Sequence, residues 1–386
     1  MKHRNGNFLT LALVLVCLST SASAAAPNHK AWLQTIQDLS EPGGYFDSDN
    51  LVSNESSYLT VLSKLGEYDG RGGAYIGVGP DQNFTYIARM RPEVALIIDI
   101  RRQNMIQHLL FKALMDLSGT RLQFLSLLFA RPVKRLSDRG AAALTLPDLL
   151  KEIDASAADS NLYRKTLARI KATILVRYGF PATLEDLQGL EHIYESFHQN
   201  GPELRYRSFG RAYQLRYPSY RELLLEKDLQ GNHAHYLNSE SDYRWLREFQ
   251  RQNRLIPIVG DLAGPKAVRA IGEYLRSRSL LVSAFYVSNV EFYLLRYTTF
   301  DAFVENLATL PVGPNSLLVR SYFGYGRHHP EQVFPYRMAT LLQRIPSFLS
   351  EHRANPYRNY WELAVRDYIS IVPENLRSAP FLYAPP

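Results

Sequence analysis

Several short runs of this chain are apolar on both faces rather than on alternate residues. The clearest are Ala74-Tyr75-Ile76-Gly77-Val78-Gly79, Glu93 to Asp99, Leu255 to Asp261, Leu280 to Val287 and Ser316 to Phe323. A strand reads this way when helices cover both faces of its sheet. Helix-period segments follow most of the runs: Phe84 to Met90, Gln103 to Leu117, Lys266 to Arg278 and Val290 to Arg296. The alternation predicts an α/β domain with a mostly parallel sheet and right-handed crossovers.

The alternation is interrupted. Residues 131–250 are rich in charges and tyrosines, with helical periods at Leu146 to Ile153, Ser160 to Tyr178, Thr183 to Gln199 and Ser241 to Gln252. They read as a large helical insertion or cap. The expected organisation is a lead-in at 25–73, the first half of the sheet domain at 74–130, the insertion at 131–250, the second half at 251–330 and a helical extension at 331–386. Within the lead-in, helices are expected at Ala31 to Leu39 and Ser57 to Leu65. Between them lies a polar segment from Tyr45 to Glu55. Residues Leu122 to Phe129 fit a third strand or a helix.

Residues 1–24 have the layout of a secretory signal peptide. Lys2 and Arg4 precede the apolar run Phe8 to Leu18, and Ala22-Ser23-Ala24 supplies a cleavage site. An apolar run this short falls below the roughly 20 residues needed to span a bilayer. The expected location is therefore periplasmic or secreted, as a soluble chain with no integral membrane segment. The single cysteine, Cys17, lies in this leader. The mature chain would hold together without disulfides or cysteine-rich metal sites. The net charge of +7 is spread along the sequence with no basic run, so no nucleic-acid partner is expected.

In an open α/β sheet, ligands bind beyond the carboxyl ends of the strands. Those ends carry Gly77-Val78-Gly79-Pro80-Asp81-Gln82-Asn83, Asp99-Ile100-Arg101-Arg102, Gly260-Asp261, and Tyr286-Val287-Ser288-Asn289-Val290-Glu291. Gly77 and Gly79 would let a ligand approach the backbone closely. Asp99 stands 22 residues after Gly77, a spacing that suits a carboxylate on a ribose diol. The same residues also fit a tight turn and a helix cap. The candidate set is Gly77, Gly79, Asp81, Asn83 and Asp99 for a cofactor, with Asp261, Tyr286 and Asn289 around an acceptor.

Through Ile76-Gly77-Val78-Gly79, Asp99, Gly260-Asp261 and Ser288-Asn289-Val290-Glu291 the chain resembles the S-adenosylmethionine-dependent methyltransferase-like Rossmann superfamily. The resemblance covers about 75–130 and 255–325. It implies a Rossmann-like sheet, with Gly77 and Gly79 facing the amino-acid part of S-adenosylmethionine and Asp99 holding its ribose. The sequence departs from that pattern where Tyr75 replaces the usual acid, where Pro80-Asp81-Gln82 replaces the third glycine, and across 131–250. The segments Gly43 to Asn50, Gly77 to Asn83 and Gly260 to Lys266 also look like those of a bacterial family of exported proteins with no assigned reaction.

Other constellations are sparse. No His-Glu-x-x-His, Gly-x-Ser-x-Gly or P-loop pattern occurs. His233-x-His235 and His328-His329 lack a nearby carboxylate in the expected layout, so no metal site is predicted. Asp47, Asp49 and Glu55 could close over the pocket, bind a cation or cap backbone N–H groups. Arg101 and Arg102 suit a carboxylate or phosphate, or simply solvent. Three functional readings follow. One is methyl transfer to an unknown acceptor. A second is a non-catalytic exported module that binds a small molecule at the strand ends, or a protein through 131–250. A third is a hydrolase or lyase using Asp49, Asp261 or Glu291. An exported compartment is not where S-adenosylmethionine is expected, which keeps the second reading open.

Overall fold

A computed structural model describes residues 28–68, 71–133, 138–209, 217–324 and 327–377. The leader and Cys17 lie outside these. The chain forms one six-stranded sheet flanked by helices. Its strands are β1 (Ala74–Gly77), β2 (Val94–Asp99), β3 (Leu255–Val259), β4 (Val282–Ser288), β5 (Val312–Tyr322) and β6 (Ala339–Arg344). Their order across the sheet is β3-β2-β1-β4-β5-β6. All neighbours pair in parallel except β5 and β6. β1, β2 and β3 are buried along their whole length, which explains their unbroken apolar sequence.

The antiparallel strand β6 falls where a helical extension was expected. Ala339-Thr340-Leu341-Leu342-Gln343-Arg344 is composed mostly of good helix formers. Its pairing with β5, from Leu317 opposite Arg344 to Tyr322 opposite Ala339, overrides that preference. The helix Ile345–Ala354 follows and packs on β5 and β6. Residues Arg121–Phe129 are a helix, which resolves the strand-or-helix ambiguity.

The described part of 131–250 carries the helices Leu146–Asp154, Ser160–Ala172, Leu184–Asn200 and Glu240–Arg251, with turns and isolated bridges such as Arg205 opposite Ser219 and Lys227 opposite His233 between the last two. Thr145, Asp159, Thr183 and Ser239 cap their first turns with side-chain oxygens. Leu184–Asn200 and Glu240–Arg251 pack on the long helix Arg102–Leu117 that follows β2. No described helix is long and apolar enough to cross a membrane.

The lead-in runs as a strap across the carboxyl ends of the sheet. The helix His29–Leu39 anchors it, with Trp32 Nε1 donating to Leu255 O at 2.9 Å. Glu41 N donates to Val259 O at 2.9 Å beside β3, and Gly44 N donates to Ile100 O at 2.8 Å beyond β2. Glu55 reaches β4 and β5, and Ser57 Oγ meets Thr340 Oγ1 of β6 at 3.1 Å. The expected helix Ser57 to Leu65 is instead a 3₁₀ turn at Tyr58–Val61 followed by one helical turn at Leu62–Leu65.

Candidate functional site

The chain leaves β1 on one side for β2 and β3, then returns on the other side of β1 for β4. That reversal opens a crevice at the strand carboxyl ends. A cavity of about 280 Å³ lies there under the strap. Gly79 and Gln82 line it from β1, Asp99 and Arg101 from β2, Asp261 from β3, and Tyr286, Ser288 and Asn289 from β4. A broader depression of about 780 Å³ lies at the opposite edge, among Gly72, Glu93, Arg254 and Arg278. Its volume reflects its openness to solvent, and the polar strand ends do not reach it.

The glycine loop is built differently from its expected role. A Cβ on Gly77 would fall 2.0 Å from Asn83 Oδ1 and 2.8 Å from the Tyr75 ring. Gly77 therefore makes room for an internal contact rather than for a ligand. Asn83 holds the loop: it accepts from Tyr75 Oη at 2.7 Å and donates to Val78 O at 3.0 Å and Pro80 O at 2.7 Å. Gly79 does line the cavity. Its φ of +86° lies where glycine is favoured, and a Cβ there would meet only Asn50 Nδ2, at 3.4 Å. His108 Nε2 donates to Gly79 O at 2.9 Å, and burial lowers the imidazole to about 4, so the ring is neutral.

Asp81 is not among the residues lining the cavity. It faces the helical region and accepts from Tyr220 at 2.5 Å and from Tyr236 at 3.3 Å. Burial raises its carboxyl to about 6 against these two hydroxyls. Asp81 and Asn83 thus shape and anchor the loop, and neither is presented to a ligand.

Asp99 lines the cavity with a partner already in place. Arg101 Nε donates to Oδ1 at 3.1 Å and Nη2 to Oδ2 at 2.9 Å, both side chains being buried. Arg101 N also donates to Oδ1, and Nη1 reaches Asp49 O at 2.7 Å in the strap. Oδ2 accepts one bond from these partners and retains a lone pair. Arg102 turns away, to Asp186 Oδ1 at 2.6 Å and Oδ2 at 2.8 Å. Asp261 caps its own turn through Ala263 N at 2.9 Å. Its backbone N–H is held by Glu41, whose carboxylate also accepts from Lys266 N and Ala267 N at the start of the helix Ala267–Arg276.

The side chain that organises the β4 end is Glu55, which sequence reasoning placed only in a loop cluster with Asp47 and Asp49. It is fully buried and accepts from Tyr286 Oη at 2.7 Å, from Ser288 and Ser321, and from Gln82 Nε2 at 3.4 Å. Desolvation raises its carboxyl; the hydroxyl donors partly offset this. Gln82 Nε2 also donates to Tyr286 Oη, which leaves Gln82 Oε1 buried with no partner among the described residues. Ser288 lies in the left-handed region at φ 55°, uncommon for a residue with a side chain. Asn289 opens the helix Val290–Arg296 without a side-chain cap bond. The available signal for Glu55 was a carboxylate set close before a strongly apolar segment.

Other candidates resolve into structure. Glu291 and Arg320, both fully buried, form an ion pair at 2.6 Å. Asp49 accepts from Arg207 N at 3.2 Å. His235 is buried, its imidazole held down to about 3, and its Nδ1 accepts from Leu237 N. His329 bridges Glu331 N and Ala364 O. Among the described residues no group of three or more His, Cys, Asp or Glu is placed to hold a metal ion.

No curated protein matches the chain. A family model described as "Domain of unknown function (DUF7790)" matches residues 51–139 and 155–376. The match takes in all six strands, Glu55 and most of the helical region, and the chain belongs to that family.

Proposed function

We propose that the sheet is Rossmann-like and that its cavity binds S-adenosylmethionine, whose methyl group passes to an acceptor at the β4 end. The observation that carries this is positional. The cavity lies at the reversal of a 3-2-1-4-5-6 strand order, with a buried carboxylate, Asp99, closing β2. The residues fit such a cofactor on three counts. Gly79 offers open backbone, Asp99 Oδ2 keeps an acceptor position, and Gln82 Oε1 is a buried acceptor without a partner among the described residues. When bound, the cofactor would supply an electrophilic methyl group on a sulfonium. Gly79 would let the ligand approach the loop, and Asp99 would accept from a diol. Asp261 and Asn289 would position the acceptor.

A second reading, a ligand-binding module without catalysis, is favoured by one observation. Arg101 occupies both oxygens of Asp99 before any ligand arrives. Export, proposed from the leader, points the same way.

Calorimetric titration of the chain with S-adenosylmethionine, its demethylated product and a nicotinamide dinucleotide tests the proposal. Saturable binding of the first two is expected, weakened about tenfold by Asp99→Asn, the size of one charge-assisted hydrogen bond. Absence of saturable binding by a chain that melts cooperatively would overturn the cofactor assignment and leave the second reading.

A further inference from the structure

The two sides of the cavity differ in charge. Among the described residues that line it, the charged side chains are Asp99, Arg101 and Asp261, all at the β2 and β3 ends. Beyond β1, the β4 end presents Tyr286, Ser288 and Asn289, all uncharged. The wall above them is aromatic. Phe46 of the strap meets Tyr293 edge-on at 4.9 Å between centroids, and Tyr297 stacks beyond it at 6.5 Å. Tyr297 remains 62% exposed at the mouth.

We propose that the β4 side of the cavity is a subsite for a neutral aromatic hydroxyl compound, a phenol. The ring lies against Phe46, Tyr293 and Tyr297, and the phenolic O–H donates to Ser288 Oγ. Two features select this class. An anionic substrate would find no cation among the described residues lining this side, where the carboxylate of Glu55 stands behind Tyr286 and Ser288, and its desolvation would go uncompensated. An aromatic wall rewards a planar π-face by edge or offset contacts.

Ser288 supplies the polar end. Its hydroxyl hydrogen is committed to Glu55, so its oxygen faces a ligand as an acceptor. The residue holds a left-handed backbone conformation that glycine would adopt without strain. The side chain kept at that cost bonds Glu55 and also lines the cavity, which leaves its oxygen within reach of a ligand. The inference deepens the methyl-acceptor reading of this cavity by naming the acceptor class. It does not require the cofactor to be bound.

The test is fluorescence or calorimetric titration of the full chain with 2-naphthol. 2-Methoxynaphthalene keeps the ring and lacks the donor; decahydro-2-naphthol keeps the hydroxyl and lacks the π-face. Saturable binding of 2-naphthol is expected, with each control weaker by about three- to tenfold, the range for one hydrogen bond or one aromatic contact. Ser288→Gly keeps the backbone conformation and should bring 2-naphthol down to the affinity of its methyl ether. Tyr293→Leu with Tyr297→Leu should remove the advantage over the saturated alcohol. Equal affinity for 2-naphthol and its ether, no saturable binding, or indifference to these variants would overturn the subsite. Titration with S-adenosylmethionine is run in parallel. Naphthol binding without cofactor binding would overturn the cofactor assignment alone, and the converse would overturn the phenol subsite alone.

Discussion

Buried carboxylates around the cavity are held in two opposite ways. At the β2 end, Asp99 faces a guanidinium that meets both of its oxygens. At the β1 and β4 ends, Asp81 and Glu55 are met by neutral donors, Tyr220 and Tyr236 for one, Tyr286, Ser288 and Ser321 for the other. A guanidinium offsets the carboxylate's charge within the buried pair. Hydroxyls satisfy lone pairs and leave the charge in place, so burial raises both carboxyls. One region is thus an electrostatic lock, and in the other burial favours the protonated form of the carboxyls.

The largest expected effect breaks the lock. Arg101→Met should leave Asp99 buried without its cation and lower unfolding stability by about 3–5 kcal/mol. Denaturant unfolding at pH 7 measures it. A loss below 1 kcal/mol would mean that solvent reaches Asp99 and that the two ends do not differ as described.

The next effect concerns the hydroxyl-held carboxylate. Asp81 has its carboxyl raised from an ordinary 3.8 to about 6 in the folded state. The native state therefore binds the proton more tightly than the unfolded chain. No penalty is present below about pH 4, where both states are protonated, and it is complete above about pH 6. Stability should fall by on the order of 3 kcal/mol across that window from this group. Asp81→Asn keeps an acceptor for Tyr220 and should flatten the slope between pH 4 and 6. An unchanged slope would place the titration elsewhere.

The smallest effect sharpens the functional side of the contrast. Tyr297→Ala removes a largely exposed ring, so stability should change by no more than about 0.5 kcal/mol. Thermal melting checks this, and a loss well above 1 kcal/mol would make the aromatic wall a packing feature.

Much of the frame was legible in the sequence. The runs at Ala74, Val94, Leu255 and Leu317 are strands because double-sided burial leaves a local apolar signature. The helices Leu184–Asn200 and Glu240–Arg251 lie within a residue of their periodic segments. Gly79, Asp99, Asp261, Tyr286 and Asn289, expected at the strand ends, line one cavity. Gly77, Asp81 and Asn83 are not among its lining residues, because the direction of a side chain in a tight loop depends on what packs behind it. For Asp81 that is Tyr220, 139 residues away.

By itself the sequence determined the layered α/β class, the helices Leu146–Asp154, Leu184–Asn200 and Glu240–Arg251, and the edge where polar groups converge. Each follows from periodicity, which neighbouring residues encode among themselves. Tertiary structure alone decided that helix-forming residues 339–344 would be a strand, that Arg101 would engage Asp99, and that the strap would carry Glu55 to β4 and β5. Glu55 and Ser321 are 266 residues apart. A contact of that range is selected by burial and by the need to satisfy each buried polar group, and neither leaves a local trace in the chain.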